Sequence, residues 1–422
     1  MGLGTEKGSG SHFSESAANG FLVSPLIEQA AADLGISLIL ADPTSSKARF
    51  IFSRGKMRRW PLSFLGTLRV LIGLVGALVF RSLKPNKFST MREWGENIFG
   101  REFVDFLLEP GLGGIYASKA ENLSASLVVG SVMNRRKQRD TEKSKTRRVT
   151  AAPLKGMKFW CESLKRFLEN SGRVEILTHK KFESRTWFDE KLKNPSRVFL
   201  ALDLKNTLEI IKDLEAQASE FAYTSRQRES LKNFIQNLET TPLSTLALAA
   251  LTLEFNEPPL GLLKQNQGFG CLFPRSENFN SLGVLFNSCI FPARYERKNE
   301  TYIFGQTQKF SLNFEIASKA LGKNLESRLI AAALEDRSRI FDLSNPGLRQ
   351  PAATSVFVWP TALPCYDIHL EKFLASQSFE GLEKEFGFTI VGNFRGHLSL
   401  SKIFDDCWKI ATEVAASNKF KI

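Results

Sequence analysis

The C-terminal region contains the feature that most constrains the fold, an apolar segment followed by a glycine-containing turn and an amphipathic segment. Residues 388–391 predict a strand, Gly392 and Gly396 mark the turn, and residues 401–415 predict a helix with one apolar face. Glycines at the turn let a ligand approach the backbone, because no Cβ intervenes. The helix start offers free N–H groups and the positive end of its dipole to an anion. The pattern therefore indicates either an anion-binding corner or an ordinary β-turn-α connection.

Composition indicates a globular protein with an anionic partner. The 422 residues are enough to bury a core divided between two or three lobes. Hydrophobic residues make up 43% and charged residues 24%, which excludes a disordered chain. The 57 Lys and Arg exceed the 44 Asp and Glu, giving a formal net charge of +13. This excess favours a membrane surface, a nucleic acid or a carboxylate-bearing small molecule as partner.

Cysteine and histidine usage predicts neither a disulfide framework nor a metal site. The five cysteines are scattered without a C-x-x-C pair, and the four histidines are equally dispersed. Such usage suits a reducing cytoplasm. Residues 1–11 are glycine-rich and polar, so they do not resemble a signal peptide.

The most apolar segment of the chain is Pro61–Phe80, whose length is close to the ~20 residues that a membrane-spanning helix needs. Arg69 interrupts it, and an arginine at the bilayer centre costs roughly 2.5–3.5 kcal/mol. Basic residues at both ends and Trp60 at one edge fit a helix in the plane of the interface. A buried core helix is the alternative. We therefore expect a cytoplasmic protein that is peripheral on the inner face of the cell membrane.

Residues 134–148 form a dense basic run. Contact with anionic lipid or nucleic acid is one interpretation, and a solvated loop is the other. No aromatic residue interleaves with the charges, which argues against stacking on single-stranded nucleic acid. We favour the loop and predict no nucleic-acid partner.

The order of helical and strand patterns predicts an α/β fold with a mainly antiparallel second lobe. Ser24 and Pro25 begin a helix, and residues 49–53 predict a strand. A helical pattern over 91–132 is interrupted by 110–114, and strands are predicted at 173–177 and 197–202. The dinucleotide-binding motif, a strand followed by G-x-G-x-x-G and a helix, is absent from the sequence.

Several segments carry a family resemblance in a fixed order along the chain. They are Glu15–Phe21, Arg49–Phe50, the QGFGCLFP of 267–274, the WPTALPCY of 359–366 and the GNFRGHLSL of 392–400. Together they resemble protoporphyrinogen oxidase, an FAD-dependent family with the amine-oxidase fold. The segment 267–274 is the most specific match, and residues 283–292 extend it.

The resemblance implies an amine-oxidase-like α/β (α+β) flavoprotein with an incomplete N-terminal Rossmann-type sheet, a helical membrane-binding lobe and a mainly antiparallel substrate lobe. It assigns residues 1–36, 151–204 and the C-terminal segment 386–422 to FAD binding. Residues 37–55 are strands of the substrate lobe, whose main part is 205–385. Residues 56–150 form the helical lobe. The helical lobe contains Pro61–Phe80, which supports the interfacial interpretation of that helix.

The resemblance also implies a reaction of haem biosynthesis, the oxidation of protoporphyrinogen IX or coproporphyrinogen III with FAD and dioxygen. Arg49 matches the position that pairs with a propionate, and only arginine offers a planar fork to a carboxylate. Leu272, Leu285 and Ile303 match positions that enclose the macrocycle, although plain core packing explains them equally well. The implied FAD-binding residues are Ser16, Ala17, Asn19, Gly20, Phe182, Trp359, Gly392, Asn393, Gly396, Leu398, Ser399 and Leu400.

The chain also departs from the family pattern. The family begins with a strand and glycine-rich loop that hold the flavin pyrophosphate, and Met1–Thr5 aligns just beyond the ribose-binding acid. His397 replaces a glycine of the C-terminal turn, and Asn287 replaces a common aspartate. Two hypotheses follow: an oxidase whose remaining part is encoded upstream, or a truncated, flavin-free homologue with a membrane-surface or partner-binding role. Neither hypothesis excludes a homodimer.

Overall fold

The computed structural model describes residues 13–79, 83–130, 149–180, 198–217, 223–255, 268–295, 301–312, 323–341, 350–376 and 378–416. Predictions for Phe182 and for the basic run 134–148 lie outside these residues.

The described strands fall into three sheets. Their bounds are β1 Phe21–Leu22, β2 Leu38–Leu40, β3 Arg49–Ser53, β4 Lys56–Arg58, β5 Thr150–Pro153, β6 Val198–Ala201, β7 Leu243–Phe255, β8 Gly270–Leu272, β9 Gly283–Leu285, β10 Tyr302–Leu312, β11 Ala353–Pro364 and β12 Phe388–Val391.

The helices lie between and beyond these strands. Their bounds are α1 Pro25–Asp33, α2 Pro43–Lys47, α3 Phe64–Val79, α4 Met91–Phe99, α5 Arg101–Phe103, α6 Glu109–Tyr116, α7 Met157–Asn170, α8 Leu204–Ala216, α9 Ser225–Leu238, α10 Asn287–Ile290, α11 Lys323–Ile340, α12 Ile368–Ala375, α13 Ser378–Phe386 and α14 Leu400–Ala416. A π-helical turn occupies Val104–Leu108, and short 3₁₀ turns occupy Arg275–Glu277 and Pro292–Arg294.

The largest sheet has seven strands in the order β11-β7-β10-β9-β8-β3-β4. Its pairs are antiparallel except for β3 and β8, which run parallel. The predicted strand Arg49–Ser53 is confirmed as β3, with the predicted bounds. The mainly antiparallel character expected for the second lobe therefore holds in this sheet.

The two faces of this sheet differ in their side chains, because successive residues of a strand point to opposite faces. One face carries Phe52, Phe304 and Phe310 and is here termed the phenylalanine face. Its apolar side chains pack with residues of α11, including Leu325 and Leu329. Helix α11 thus covers this face and forms a core with it.

The opposite face carries Gly270, Gly283 and Gly305 and is here termed the glycine face. It meets the rest of the chain: Leu285 packs with the cluster of Ala41, Ala152, Ile290 and Phe291. That cluster includes residues next to the three-stranded sheet β1-β5-β2, which is antiparallel. The glycine face therefore lies where the large sheet and the small sheet come together.

A two-stranded parallel sheet, β6 and β12, precedes the C-terminal turn. The strand predicted at 197–202 is confirmed as β6, whereas the strand predicted at 173–177 is wrong. Residues 173–177 form no strand, and Val174 and Leu177 stay exposed. Strand β6 instead pairs with Phe388–Val391, nearly two hundred positions away along the chain. Local patterning cannot show such a non-local partner.

Helices α3 to α6 correspond to the predicted helical lobe. The predicted interruption at 110–114 is wrong, since these residues lie within α6. Pro110 occupies the first turn of α6, where a missing N–H is tolerated. The π-helical turn before it changes the hydrogen-bond spacing at the point where the proline ring would meet the preceding turn. Helix α6 ends at Tyr116, and the next residue, Ala117, has a left-handed backbone with φ 54°.

Helix α3 presents large apolar side chains to solvent. It packs on α4 through small residues: a Cβ on Gly73 would lie 1.8 Å from the carbonyl oxygen of Ile98. Phe64 is 82% exposed and Val79 is 69% exposed. The alternative of a buried core helix is therefore wrong for this segment. No described helix combines the length and the apolarity needed to cross a membrane.

Candidate functional site

The C-terminal corner is held in shape by contacts within the chain. Tyr366 donates a hydrogen bond from its hydroxyl to the carbonyl of Asn393. Gly392 is required by close packing, since a Cβ there would lie 2.6 Å from the Phe394 ring. Gly396 adopts φ +95°, which a side chain would strain. The observed helix, Leu400–Ala416, agrees with the predicted 401–415. The turn is thus a defined structure that leads into the helix.

The corner lies against the N-terminal strand β1. Ser401 donates from its hydroxyl to the carbonyl of Leu22, and Ser24 Oγ lies 3.2 Å from Asp405 Oδ1. Phe404 packs with the apolar cluster that contains Phe21. These contacts bring the C-terminal corner next to β1, which directly follows the predicted cofactor-facing segment 16–20.

Segment 16–20 is fixed on its other side to the large sheet. Trp359 Nε1 donates to the carbonyl of Ser16 at 2.7 Å, and Asn19 Nδ2 lies 3.5 Å from Asn287 Oδ1. A Cβ on Gly20 would lie 2.7 Å from the carbonyl oxygen of Ala151, so only glycine fits there. Trp359, a predicted FAD-binding residue, therefore contacts another predicted FAD-binding segment directly.

Arg294 organises the same segment, and sequence reasoning missed it. Its side chain forms an ion pair with Glu15 at 3.2 Å and donates to the carbonyl of Asn19 at 3.3 Å. The amide of Met157 donates to Glu15 Oε1 at 3.0 Å. Burial raises the pKa of the Glu15 carboxyl and lowers that of Arg294, while their mutual attraction opposes both shifts. No sequence pattern marks Arg294, because its partners come from distant segments.

The predicted substrate residues occupy the glycine face of the large sheet. Arg49 is paired with Gly270, Gly270 with Leu285, and Leu272 with Gly283. Paired residues on neighbouring strands share a face, so Arg49, Leu272 and Leu285 lie together. Ile303 lies on the same face of the sheet, because it is an even number of residues from Thr307 on β10. Ile303 is four residues from Thr307, which is the partner of Leu285. This spacing places Ile303 about 14 Å from Thr307 along the strand.

Arg49 lies at the exposed edge of the glycine face. Its guanidinium stacks on the Phe269 ring at 4.7 Å from the centroid. Among the described residues, no carboxylate lies within 4.0 Å of the guanidinium. Its hydrogen-bonding fork is therefore available to a carboxylate ligand, which the family resemblance predicts for this position.

Lys309 is a second cation on this face, and sequence reasoning did not identify it. It is paired with Gly283 on β9 and donates from Nζ to the carbonyl of Gly114 at 3.0 Å. A Cβ on Gly114 would lie 3.0 Å from Leu272 Cδ2, so helix α6 approaches the glycine face here. Burial lowers the pKa of Lys309 to about 8. Only the strand register reveals this position.

The remaining predicted cofactor residues follow the turn into α14. Leu398 packs against the largest apolar cluster, and Ser399 Oγ accepts from the amide of Lys402 at 3.4 Å. Leu400 begins the helix. Within the part of the chain that the structure describes, no group of three His, Cys, Asp or Glu side chains could hold a metal.

The corner fits a ligand that donates a hydrogen bond. Asn393 Oδ1 is buried and has no hydrogen-bond partner among the described residues. An unsatisfied buried acceptor costs about 1–3 kcal/mol, which a donor from a bound group would remove. The ring and ribityl chain of a flavin carry N–H and O–H donors of this kind. The residues present at this corner are thus compatible with a flavin.

The chain is similar to proteins of known sequence and of known structure. Protoporphyrinogen oxidase from Nicotiana tabacum chloroplasts is 25% identical over 451 aligned positions, covering 95% of this chain and 76% of the relative. No protein-family model matches the chain.

Solved structures of related fold are also similar to this chain. A protein from Exiguobacterium sp. 255-15 with a provisional protoporphyrinogen oxidase name has a TM-score of 0.59 at 14% identity, covering 93% of this chain and 85% of that one. A redesigned putrescine oxidase has a TM-score of 0.59 at 14% identity, covering 94% and 88%.

The chain therefore has the mixed α/β fold of the amine-oxidase-like flavoproteins. More specifically, it is a distant homologue of protoporphyrinogen oxidase. The resemblance inferred from the sequence motifs is confirmed at this level. The division into lobes, the incomplete nucleotide-binding sheet and the roles of the individual site residues stay predictions.

Proposed function

We propose that this protein is an FAD-dependent oxidoreductase that oxidises a porphyrinogen, with dioxygen as the electron acceptor. One observation carries the proposal: the C-terminal corner contacts β1, which directly follows the predicted FAD-binding segment 16–20, and the predicted FAD-binding residue Trp359 donates to Ser16 of that segment. The glycine face with Arg49 and Leu272 is part of the same large sheet as Trp359.

When bound, the flavin would accept hydrogen from the porphyrinogen, and this chain would bind and orient both partners. The backbone of segment 16–20 and of the corner would face the flavin, with Asn393 Oδ1 as an acceptor. Leu272 and Leu285 would contact the apolar ring. Arg49 would hold a propionate through a charge-assisted hydrogen bond that contributes about 1.5–3 kcal/mol.

The test measures cofactor and activity together. The purified chain is incubated with FAD, freed of unbound flavin and scanned for flavin absorbance. A porphyrinogen is then added in air and under nitrogen, and porphyrin fluorescence is followed. We expect bound flavin and faster porphyrin formation than in the protein-free control, with the increase dependent on air.

Two results would contradict the oxidase proposal. One is the absence of bound flavin after incubation. The other is bound flavin with porphyrin formation no faster than the spontaneous rate. Inactive protein with a normal unfolding transition would exclude misfolding as the reason.

A second candidate function is attachment to a membrane surface without flavin chemistry. The apolar face of α3, with Leu65, Leu71 and Ile72 all more than half exposed, favours it. Exposed Arg58 and Lys84 lie beyond the two ends of this helix, as expected for anionic lipid. Attachment is also compatible with the oxidase, so only the flavin assay separates the two candidates.

Flotation with vesicles tests this attachment. The chain is mixed with vesicles containing anionic phospholipid, and the bound fraction is measured for the unmodified protein and for Ile72→Asp. We expect the substitution to reduce binding about tenfold or more, because burying a charged side chain opposes insertion. Leu177→Asp is the matched control, since Leu177 is equally exposed but lies outside α3. Equal binding by all three proteins would contradict the attachment.

A further inference from the structure

We propose that Arg294 is a positioning residue for the flavin: it fixes the peptide between Asn19 and Gly20 so that the Gly20 amide points at a hydrogen-bond acceptor of the cofactor. This inference rests on the proposed function and adds a residue to its cofactor site. The Arg294 side chain is only 1% exposed. It therefore acts through the backbone of segment 16–20 and not by contact with the flavin.

The pairing of β1 with β5 lacks one donor at the place where Arg294 binds. Phe21 is paired with Ala151 in an antiparallel register, so Asn19 lies opposite Pro153 when that register continues. Proline has no N–H, and Pro153 therefore cannot donate to the carbonyl of Asn19. That carbonyl needs a donor from elsewhere in the fold.

Arg294 supplies the missing donor. Its Nη1 donates to the carbonyl of Asn19 at 3.3 Å, and its Nη2 donates to the carbonyl of Pro153. The planar guanidinium thus joins two carbonyls of opposite strands at the position where the regular ladder is interrupted. The same side chain forms the ion pair with Glu15 and stacks on two phenylalanine rings, with Cζ 4.5 Å and 5.1 Å from their centroids. These contacts fix the guanidinium in place.

The bond to Arg294 determines where the next amide points. In a trans peptide the C=O and the N–H point in opposite directions, and the described residues contain no cis peptide bond. Because the carbonyl of Asn19 points at Arg294, the amide of Gly20 points away from it. The strand register agrees. The amide of Val23 donates to the carbonyl of Val149 beside β5, and Gly20 is an odd number of positions from Val23, so its N–H points away from β5.

The edge of β1 to which Gly20 points is the edge next to the C-terminal corner. Gly20 and Leu22 are two positions apart, so their backbone polar groups point to the same edge. At this edge, Ser401 donates from its hydroxyl to the carbonyl of Leu22. An acceptor on this side of β1, beside the corner, would therefore meet the Gly20 amide.

The amides of segment 16–20 differ from its carbonyls in their hydrogen bonds. Trp359 donates to the carbonyl of Ser16 at 2.7 Å, so the amide of Ala17 points away from Trp359. Among the residues that the structure describes, the amides of 16–20 donate to no acceptor. Backbone N–H groups that are shielded from water normally have an acceptor, and a flavin carries ring and phosphate oxygens of this kind. The side chains thus fix the carbonyls and leave the amides for a ligand.

The test compares Arg294→Lys with the unmodified protein. Lysine keeps the charge that pairs with Glu15 but lacks the planar fork that reaches both carbonyls. We expect FAD to bind about tenfold more weakly in a fluorescence titration, because the Gly20 amide is no longer held in place. Hydrogen–deuterium exchange of segment 16–20, measured without FAD, should become faster.

Arg337→Met is the matched control. Arg337 is also a buried arginine that stacks on a phenylalanine ring, but it lies on α11. Its substitution should leave the FAD affinity and the exchange of segment 16–20 unchanged, whatever its effect on the free energy of unfolding. Denaturant titration of every variant measures that free energy and shows that the variant is folded.

Pro153→Ala tests the mechanism directly, because it adds an N–H opposite the carbonyl of Asn19. Combined with Arg294→Lys, it should restore part of the FAD affinity and slow the exchange of segment 16–20. If Arg294→Lys does not fold, Arg294→Met combined with Glu15→Gln takes its place, since this pair leaves no unpaired buried charge.

The outcomes separate the inference from the proposed function. Unchanged FAD affinity in a folded Arg294 variant overturns the inference while the proposed function stands. An equal loss of affinity in Arg337→Met, or no recovery with Pro153→Ala, also overturns it. If the unmodified protein binds no FAD, the proposed function and the inference fall together.

Discussion

The two faces of the seven-stranded sheet are built from the same strands but differ in what they contact. On the phenylalanine face, Phe304 is 2% exposed and packs with Phe286 and Phe341 in a continuous apolar core. On the glycine face, the same β10 strand carries Gly305, Thr307 and Lys309. Alternate residues of this strand therefore have different surroundings. One set packs in the apolar core, whereas Gly305 lies against the Tyr295 ring and Thr307 accepts a hydrogen bond from Asn287.

Substitutions on the two faces should separate stability from binding. Phe304→Ala should reduce the free energy of unfolding by about 3–5 kcal/mol, because it leaves a cavity in a buried aromatic cluster. Leu272→Ala, on the glycine face, should cost less stability and weaken porphyrin binding. Denaturant titration and porphyrin titration of both variants measure the two effects. Equal stability losses would show that the glycine face is also ordinary core.

Arg49→Ala should raise KM for the porphyrinogen about tenfold or more, because a charge-assisted hydrogen bond of about 1.5–3 kcal/mol is lost. Flavin content should not change, since the described contact of the Arg49 side chain is with Phe269 and not with a predicted FAD-binding segment. Steady-state kinetics and flavin absorbance measure the two quantities. Arg54→Ala, an exposed arginine that follows β3, is the control. An unchanged KM would remove Arg49 from the site.

Lys309→Met should raise the free energy of unfolding at pH 7 by about 1–3 kcal/mol, because burial disfavours the charged form. The pKa of Lys309 is lowered from 10.5 to about 8 in the folded protein. Between these values the unfolded chain binds more protons, so stability of the unmodified protein should rise with pH from about 8 to 10.5. The variant should lack this rise in its denaturation curves. A parallel rise in both proteins would contradict the assignment.

Gln308→Leu should have the smallest effect, an increase in stability of about 1 kcal/mol. Gln308 is fully buried on the phenylalanine face, and its Nε2 has no hydrogen-bond partner among the described residues. Removing an unsatisfied donor should outweigh the lost contact of 3.4 Å with Gln306. Thermal unfolding measures the change. A loss of stability would indicate that the amide has a role that the packing does not show.

Local sequence patterns predicted the elements whose signals are contained within a few residues. Ser24 caps α1 through the amide of Ile27, as the Ser-Pro pair indicated. Strand β3 and helix α14 also lie where their apolar patterns place them. In each case, capping or periodicity within one segment decides the structure.

Pairing across the chain could not be predicted in the same way. The parallel partner of β6 is β12, and the register of β10 places Lys309 beside Gly283. Neither is encoded by a pattern within one segment. Arg294 was missed for the same reason, because Glu15 and Asn19 meet it only in the folded chain. The family resemblance supplied Arg49 and Leu272, and the strand register shows that they share a face.

The contact between Ser401 and Leu22 has a consequence for how the protein is made. These residues are 379 positions apart, so the first strand gains its last neighbour only after nearly the whole described chain has left the ribosome. Until then, Phe21 and the apolar side of α1 lack the cover that Phe404 provides. Nascent chains should therefore depend on chaperones late in synthesis, and removal of α14 should leave a product that aggregates.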